Sequence, residues 1–288
     1  MSDIVNMLTL GQTGYPPVLA DISHAPRHLY YLGRPPSEWI DRPRVAIVGS
    51  RRSTAYGQAI AKQLAAELAR AGVVIISGLA FGIDGAAHQA ALDAGGTAVG
   101  VVATPLNRIS PVSHIHIAER IIEKGTLLSE YPQGAPIYAA NFVIRNRIIS
   151  GLSDIVVIPE AVLKSGALHT ARYALEQGKT VMAVPGNVNS LASEGCNNLI
   201  KSGAVPVTSA DDILFALKIR PKKSAAPIEF QGSHKEKVVI GLISGGLTAQ
   251  DELALAAKMD GQTLSSTLTM LEINGHIRPA GGGHWALA

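Results

Sequence analysis

The sequence predicts an α/β fold built on a parallel sheet and followed by a small helical module. Short apolar runs alternate with helical segments along most of the chain, which is the pattern of βαβ units. Hydrophobic residues make up 47% of the 288 residues but aromatic ones only 5%, so the core must consist mainly of Ala, Val, Ile and Leu. That composition is typical of sheets covered by helices on both faces. Charged residues amount to only 16%, which excludes extensive disorder.

Residues 1–40 are expected to form a lead-in that packs on the main domain. Prolines exclude long helices and central strands there; they are Pro16, Pro17, Pro26, Pro35 and Pro36. Strands are predicted at residues 45–48, 73–76, 97–102, 155–158 and 180–184. Helices are predicted at residues 59–71, 84–94, 115–124, 141–150 and 167–177. Residues 41–217 therefore form one parallel-sheet domain with right-handed crossovers.

The composition changes near residue 218. Residues 218–234 are rich in Lys, Pro, Ala and Ser and are predicted to be a basic flexible linker. In residues 235–288 we expect a helix over 235–243, a second helix capped by Thr248 with Asp251 as its acidic partner, and a third over 263–274. Two short strands around a glycine turn end the chain. Three helices followed by a hairpin are the outline of a winged helix.

The charge is unevenly distributed around an overall formal net charge of +3. Residues 1–217 carry 17 basic and 16 acidic residues, whereas residues 218–237 carry six basic and two acidic ones. Residues 238–288 carry two basic and four acidic residues, so this module is a poor candidate for strong nucleic-acid binding. A polyanion site on the large domain must therefore come from local clustering of cations.

Nothing in the sequence predicts secretion or membrane insertion. The first thirty residues contain no apolar stretch of signal-peptide length, and the longest apolar runs are too short to cross a bilayer. The single cysteine, Cys196, excludes an intramolecular disulfide framework and cysteine-rich metal sites. We expect a soluble, cytoplasmic protein with no membrane span.

The first predicted strand ends in the turn Gly49-Ser50-Arg51-Arg52. In an open parallel sheet, ligands bind at the carboxyl ends of the strands, where free backbone N–H groups and helix N-termini favour anions. Two arginines at this position add donors suited to phosphate. The alternative interpretation is a surface turn with solvated arginines.

Two further strand-to-helix turns have a similar composition. Residues 77–84 include Gly78, whose small size lets a ligand backbone approach, and Asp84, which is expected to cap its helix rather than act as a base. The turn Lys164-Ser165-Gly166, together with Thr170, is interpreted either as a phosphate cradle or as a simple helix cap.

Residues 142–149 place two arginines in an apolar segment. Because an uncompensated buried charge is costly, Arg145 and Arg147 cannot both be buried without partners. On a helix, residues two apart point roughly 200° apart. One arginine can therefore face a ligand while the other pairs inside, for example with Glu130. Phe142 is a candidate for stacking on a base or, equally, an ordinary core residue.

Other chemistries find no support in the sequence. The turn after the first strand is not Gly-x-Gly-x-x-Gly, and the second strand has no carboxylate at its tip, which argues against dinucleotide binding. His114 and His116 lack further convergent metal ligands, and Cys196 lacks an evident basic partner. We therefore expect no catalytic residues, no metal and no cofactor.

In combination, several strings resemble the DNA-processing protein A family (DprA, also called Smf). The resemblance runs from Tyr15-Pro16-Pro17 to the C-terminus, and the specificity lies in the order and spacing of the strings. They are residues 45–52, residues 77–84 with His88, and residues 128–132, 145–153, 164–171 and 183–186. The sequence departs from the family pattern at Val143, where a proline is usual.

The resemblance implies an extended Rossmann-like parallel sheet domain that binds single-stranded DNA without sequence preference, with a winged helix at the end. It also implies homodimers and the loading of a RecA-type recombinase onto DNA taken up in natural transformation. The residues expected to contact DNA are Gly49, Ser50, Arg51, Arg52, Gly78, Phe142, Arg145, Arg147, Lys164, Ser165 and Gly166. We expect the dimer contact near a helix over residues 197–204 and the strand beyond it.

Two other functions remain open. Related Rossmann-like proteins hydrolyse nucleotide derivatives, but the Pro-Gly-Gly-x-Gly-Thr loop of such enzymes is replaced here by Lys164-Ser165-Gly166-Ala167-Leu168-His169-Thr170, which leaves Glu176 as a weak candidate. Alternatively, the chain is a scaffold that acts mainly through its acidic winged helix.

Overall fold

The structure is a computed structural model that describes residues 5–219 and 232–287. The chain divides into two compact units, Met1–Pro221 and Lys222–Ala288, which are described separately. Most of the predicted linker falls on residues 220–231, outside the described residues. Over the two described ranges, no helix combines the length and the hydrophobicity that crossing a bilayer requires.

The described part of the first unit forms a nine-stranded sheet. In chain order the strands are β1 (Asn6–Thr9), β2 (His28–Gly33), β3 (Arg44–Ile47), β4 (Val74–Ser77), β5 (Ala98–Val102), β6 (Thr126–Ser129), β7 (Ile155–Ile158), β8 (Thr180–Ala183) and β9 (Val205–Pro206). Across the sheet the order is β1-β2-β6-β5-β4-β3-β7-β8-β9, and every pair from β6 onward in this order is parallel. The predicted α/β class with a parallel sheet is confirmed.

Helices cover both faces of this sheet. They are α1 (Pro17–Ala20), α2 (Ala55–Arg70), α3 (Ile83–Asp93), α4 (Ile115–Lys124), α5 (Ala139–Ile144), α6 (Asn146–Leu152), α7 (Ala167–Glu176), α8 (Glu194–Lys201) and α9 (Ala210–Ala216). Successive side chains of β3 point to opposite faces of the sheet. Val45 and Ile47 pack in the hydrophobic cluster that contains residues of α2 and α3. Ala46, and Val48 directly after the strand, pack in the cluster that contains Ile148 of α6. A strand buried on both faces needs the continuous apolar run seen here.

Strand β2 corrects the prediction for the lead-in. The prolines of residues 1–40 predict no central strand, yet β2 is paired on both sides, antiparallel to β1 and to β6. The prolines lie outside the six-residue run His28–Gly33, so they bound the strand without removing any of its donors. Strand β6 and helix α9 also lie outside the elements that the sequence predicted, whereas α8 and β9 correspond to the helix expected near residues 197–204 and the strand beyond it.

The strand order places a switch point beside β3. From β3 the chain moves to β4 and outward on one side, and it later returns to add β7 on the other side of β3. The connections that follow β3 and β7 therefore lead away from each other and leave a crevice at the carboxyl ends of the strands.

The second unit contains three helices and a hairpin. They are α10 (His234–Ser244), α11 (Gln250–Ala257), α12 (Gly261–Ile273), β10 (Ile277–Gly281) and β11 (His284–Leu287). Val239, Leu253 and Leu268 are buried together at its centre. The elements follow the predicted order of a winged helix.

The helix caps of this unit differ from the prediction. Helix α10 begins with a capping box, in which the Ser233 hydroxyl accepts from the Glu236 N–H and the Glu236 carboxylate accepts from the Ser233 N–H. The cap predicted at Thr248 is wrong, because α11 follows Ala249 and has no side-chain cap. The Thr248 hydroxyl instead lies 3.1 Å from His284 Nδ1, beside the hairpin.

Candidate functional site

A cavity of about 450 Å³ opens at the carboxyl ends of β3, β4 and β7, at the switch point of the sheet. Its walls come from the turns after these three strands, from the start of α7, and from the junction of α5 and α6. The lining residues are Val48, Gly49, Ser50, Arg51, Arg52, Ala80, Asp84, Phe142, Val143, Arg145, Asn146, Val162, Ser165, Gly166, Ala167 and Thr170. Open α/β sheets bind their ligands at this position.

Arg51 and Arg52 are exposed at this cavity. Among the described residues neither guanidinium is paired with a carboxylate, whereas five other arginines are. The Arg51 guanidinium lies over the ring of Phe142, 5.5 Å from its centroid. Because no carboxylate neutralises them, both cations keep their charge available to an anion.

Arg145 forms a buried wall of the cavity and is only 3% exposed. Its Nη1 donates to the carbonyl oxygens of Gly78 (2.7 Å) and Val101, and its Nε donates to Asn146 Oδ1 (3.2 Å). Burial lowers the pKa of Arg145 to about 10, and the charge of Asp84 opposes that shift. The guanidinium therefore remains protonated at neutral pH and adds a fixed positive charge to the wall.

Two glycines after β4 allow these segments to meet. A Cβ on Gly78 would lie 2.6 Å from the Arg145 guanidinium, so this glycine makes room for the arginine rather than for a ligand backbone. Gly82 has a φ of +74°, and a Cβ there would lie 2.2 Å from the Ser50 carbonyl oxygen. The turns after β3 and β4 are therefore packed directly against each other.

Asp84 ties these two turns together. Its carboxylate accepts a hydrogen bond from the Gly78 N–H at 3.1 Å, which lies outside its own helix, so the predicted helix cap is wrong. Burial raises the pKa of Asp84, whereas the charge of Arg145 and backbone hydrogen bonds from Gly78, Ala80 and Gly49 act in the opposite direction. The carboxylate that lines the cavity is thus engaged with the protein itself.

Two buried hydroxyls line the same cavity. Ser50 and Thr170 are 6% and 1% exposed, and neither hydroxyl makes a hydrogen bond to another described residue. Beside them, α7 begins directly after Ser165 and Gly166. Free hydroxyls next to a helix N-terminus are suitable donors to an anionic oxygen.

Three of the residues predicted to contact DNA do not line this cavity, and the first of them is Gly78, which makes room for Arg145. Arg147 is 6% exposed, and its Nη1 and Nη2 donate to the two carboxylate oxygens of Glu130 at 2.9 and 2.5 Å, while its Nε donates to the His24 carbonyl oxygen at 2.9 Å. Of the two arginines it is the one that pairs inside, which corrects its inclusion among the DNA contacts. Lys164 is exposed next to the lining residue Ser165 without lining the cavity itself.

An internal carboxylate occupies the N-terminus of α2. Glu160, which follows β7, is 3% exposed and accepts from the Thr54 N–H (3.0 Å) and from the Thr54 hydroxyl. Gly57 leaves the necessary space, since a Cβ there would lie 2.5 Å from a Glu160 carboxylate oxygen. The positive end of the first helix after β3 is therefore already neutralised, which is a physical argument against dinucleotide binding.

The other residues considered for chemistry lie away from the cavity. Cys196 is buried, and burial raises the pKa of its thiol to about 12. Glu176 ends α7, about 13 Å along the helix axis from its start, and is ion-paired with Arg172. His114 packs edge-on against Phe81, with ring centroids 5.2 Å apart.

The sequence analysis missed one polar residue of the site, Asn146, and one contact, that of Asp84. Thr170 was considered together with the turn Lys164-Ser165-Gly166, and it lines the cavity one helical turn after Gly166. Asn146 lies in the arginine segment, but no sequence signal separated its side chain from the core. The link from Asp84 to Gly78 depends on how two turns fold back on each other, and no local pattern indicates it.

Two family models match the chain. Residues 6–218 match the family described as DNA recombination-mediator protein A, and residues 223–283 match the DprA winged helix domain. The second match confirms that the C-terminal module is a winged helix.

Individual relatives and solved structures give the same result. A putative DNA processing protein DprA from Mycobacterium tuberculosis is 37% identical over 271 residues, which cover 92% of this chain and 69% of that protein. The X-ray structure of DNA processing protein A from Streptococcus pneumoniae has a TM-score of 0.70 and 37% identity, covering 73% of this chain and 74% of that one. DNA processing protein A from Helicobacter pylori, whose structure is described for its unique single-stranded DNA binding mode, has a TM-score of 0.66 and 32% identity, covering 74% of this chain and 96% of that one.

Proposed function

This chain belongs to the DNA recombination-mediator protein A family, and from that premise we propose that it binds single-stranded DNA independently of sequence, with phosphates held at the switch-point cavity. The observation that carries the proposal is the pair Arg51 and Arg52, exposed at the cavity and free of carboxylate partners within the described residues. The single-stranded DNA binding mode described for the Helicobacter pylori relative supports it.

The chemistry of the cavity suits a sugar–phosphate chain. Arg51 and Arg52 supply exposed positive charge, and Arg145 supplies a buried one. The hydroxyls of Ser50 and Thr170 are free to donate to phosphate oxygens, which strengthens an anion site without adding charge. These contacts carry no sequence information, so the proposed binding depends on the backbone of the DNA and not on its bases.

A titration of the protein with fluorescently labelled oligo-dT across salt concentrations tests this proposal. Each phosphate contact on a single strand contributes about −0.7 to the slope of log affinity against log salt. Replacing Arg51→Ala and Arg52→Ala together removes two such contacts. We expect the slope to flatten by about 1.4 and the affinity at 0.1 M salt to fall by more than about tenfold.

The matched control removes two arginines elsewhere. Arg34 and Arg172 are exposed, and each is ion-paired with the glutamate four residues later in the sequence. The Arg34→Ala/Arg172→Ala variant changes the net charge equally and should retain the wild-type slope. Wild-type affinity in the Arg51→Ala/Arg52→Ala variant would reject the assigned site.

We further propose that the protein is not an enzyme but protects incoming single-stranded DNA in the cytoplasm and loads a RecA-type recombinase onto it, during natural transformation and homologous recombination. Family membership supports this role, and so does the distance of Glu176 from the cavity. The test is the nucleation rate of recombinase filaments on DNA coated with a single-strand binding protein. We expect acceleration by the wild type and none by the Arg51→Ala/Arg52→Ala variant.

We also propose a homodimer with its contact near residues 197–204. The adjacent strand β9 is one of the two edge strands of the sheet, and Val205 on it is 44% exposed. Leu199 and Ile200 are half-buried against the core, so part of this helix already serves the fold. Sedimentation of the wild type should give a dimer, and Val205→Glu should shift it towards monomer, whereas an unchanged mass would place the contact elsewhere.

A further inference from the structure

A second, smaller cavity adjoins the candidate DNA site. Its volume is about 130 Å³, and it lies towards the carboxyl end of β5. It shares four lining residues with the larger cavity, namely Arg51, Ala80, Phe142 and Arg145. A strand with a phosphate in the larger cavity therefore has this smaller space immediately beside it.

Two aromatic rings line the smaller cavity. One is Phe142, over which the Arg51 guanidinium lies, and the other is Phe81 in the turn after β4. Phe81 is 51% exposed and belongs to none of the hydrophobic clusters of the described residues. Its ring is held edge-on by His114, whose own Nδ1 lies 3.0 Å from the Leu79 carbonyl oxygen. An exposed ring held in place by its neighbour is available for stacking.

We propose that this cavity, the Phe81 slot, holds one unpaired base of the strand whose phosphates occupy the larger cavity, an inference that rests on the proposed function. A flat, neutral, aromatic ligand matches the lining, because Phe81, Phe142 and Pro111 offer apolar surface and Arg51 offers a cation to a π-face. Every base presents a π-face, so stacking here is compatible with sequence-independent binding.

The slot also explains a preference for single strands. A base in a duplex is already stacked on its neighbours and paired with its complement, so placing it beside Phe81 would require unstacking and unpairing. An unpaired base enters without that cost. The phosphate site attracts any nucleic acid, and the slot adds the discrimination between single and double strands.

Substitution of Phe81 distinguishes the contribution of stacking to the affinity for DNA from the contribution of charge. Phe81→Ala should lower the affinity for oligo-dT at least about fivefold and leave the salt slope unchanged, because stacking releases no counterions. Phe81→Trp should restore the affinity. Phe215→Ala is the control, since Phe215 is 85% exposed on α9 and lines neither cavity. Thermal unfolding of each variant checks that the fold is retained.

An oligonucleotide of abasic sites provides a second readout. It keeps the phosphates and lacks bases, so the wild type should bind it more weakly than oligo-dT, and Phe81→Ala should cause no further loss. Wild-type affinity of Phe81→Ala for oligo-dT, or a flattened salt slope in that variant, would overturn the slot. If Arg51→Ala/Arg52→Ala left binding unchanged, the proposed function itself would fail, so the two failures are distinguishable.

Discussion

Arginine-lined cavities lie at both ends of the parallel strands, one of about 640 Å³ at the amino ends and one of about 450 Å³ at the carboxyl ends. At the amino ends, Arg44 donates through Nη2 to the Asp154 carboxylate at 2.5 Å, and Arg42 donates to a threonine hydroxyl and a backbone carbonyl. At the carboxyl ends, Arg51 and Arg52 have no carboxylate partner among the described residues.

Within the described part of the chain, the two cavities therefore differ in how much arginine charge each leaves unpaired, and the larger one is not the one with the free arginine pair. Helices run antiparallel to the strands in βαβ units, so their positive N-termini gather at the carboxyl ends of the sheet and their negative C-termini at the amino ends. The same residue type thus serves the fold at one end and remains free for an anion at the other.

The largest expected effect concerns Asp84, the carboxylate inside the carboxyl-end cavity. Asp84→Asn leaves the buried Arg145 without its opposing charge, and we expect a loss of about 3–5 kcal/mol in the free energy of unfolding in urea. The equivalent change at the amino ends, Asp154→Asn, should cost only about 1 kcal/mol, because the Asp154 side chain is 34% exposed. Equal losses in the two variants would contradict the contrast between the two ends.

An effect of intermediate size, the dependence of folding stability on pH, should arise from His88, which is buried on α3 near Arg145. Burial lowers the pKa of His88 to about 3, against 6.5 as its ordinary value. Between these values the unfolded chain binds the additional proton, so stability should fall as the pH is lowered, by about 1.4 kcal/mol per pH unit between pH 6 and pH 4.

Urea unfolding at several pH values measures this effect. His88→Gln should remove that part of the pH dependence, and His116→Gln, at an exposed position on α4, should retain it. A wild-type slope in the His88→Gln variant would show that another group titrates.

The smallest effect is expected at the amino ends. Arg42→Gln combined with Lys218→Gln removes two positive charges that line the cavity at the amino ends of the strands. The affinity for oligo-dT should stay within about twofold of the wild type, and the salt slope should not change, because these groups meet no phosphate. A tenfold loss in the same titration would mean that the amino ends take part in binding.

The sequence predicted the centre of the sheet because its strands are continuous apolar runs. Strands β3, β4, β5, β7 and β8 coincide with predicted strands within a few residues. Strand β6 is Thr-Leu-Leu-Ser, and its burial comes from pairing with β5 and β2, which local hydrophobicity does not reveal. The arginine segment was predicted as one helix, whereas the chain forms two helices that meet at Arg145.

At the site, too, local sequence patterns predicted some residues but not the contacts between distant segments. Gly49, Ser50, Arg51 and Arg52 were predictable, because parallel topology brings the turns after neighbouring strands to one edge. The sequence could not predict whether Arg145 or Arg147 lines the cavity, because the answer depends on contacts between distant segments. Gly78 accepts the guanidinium of a residue 67 positions later, and this contact fixes the choice.

Free nucleotides are abundant anions in any cell, and a phosphate site that serves a polymer benefits from ignoring them. In this chain Glu160 neutralises the helix end beside β3 where a small triphosphate would find converging backbone donors. In the proposed function a long strand does not need that pocket, because Arg51 and Arg52 of the cavity lining would hold it and many weak contacts in succession would add to its affinity. Under the proposed function, the buried glutamate closes this helix end to a small metabolite and leaves the exposed arginines to a chain.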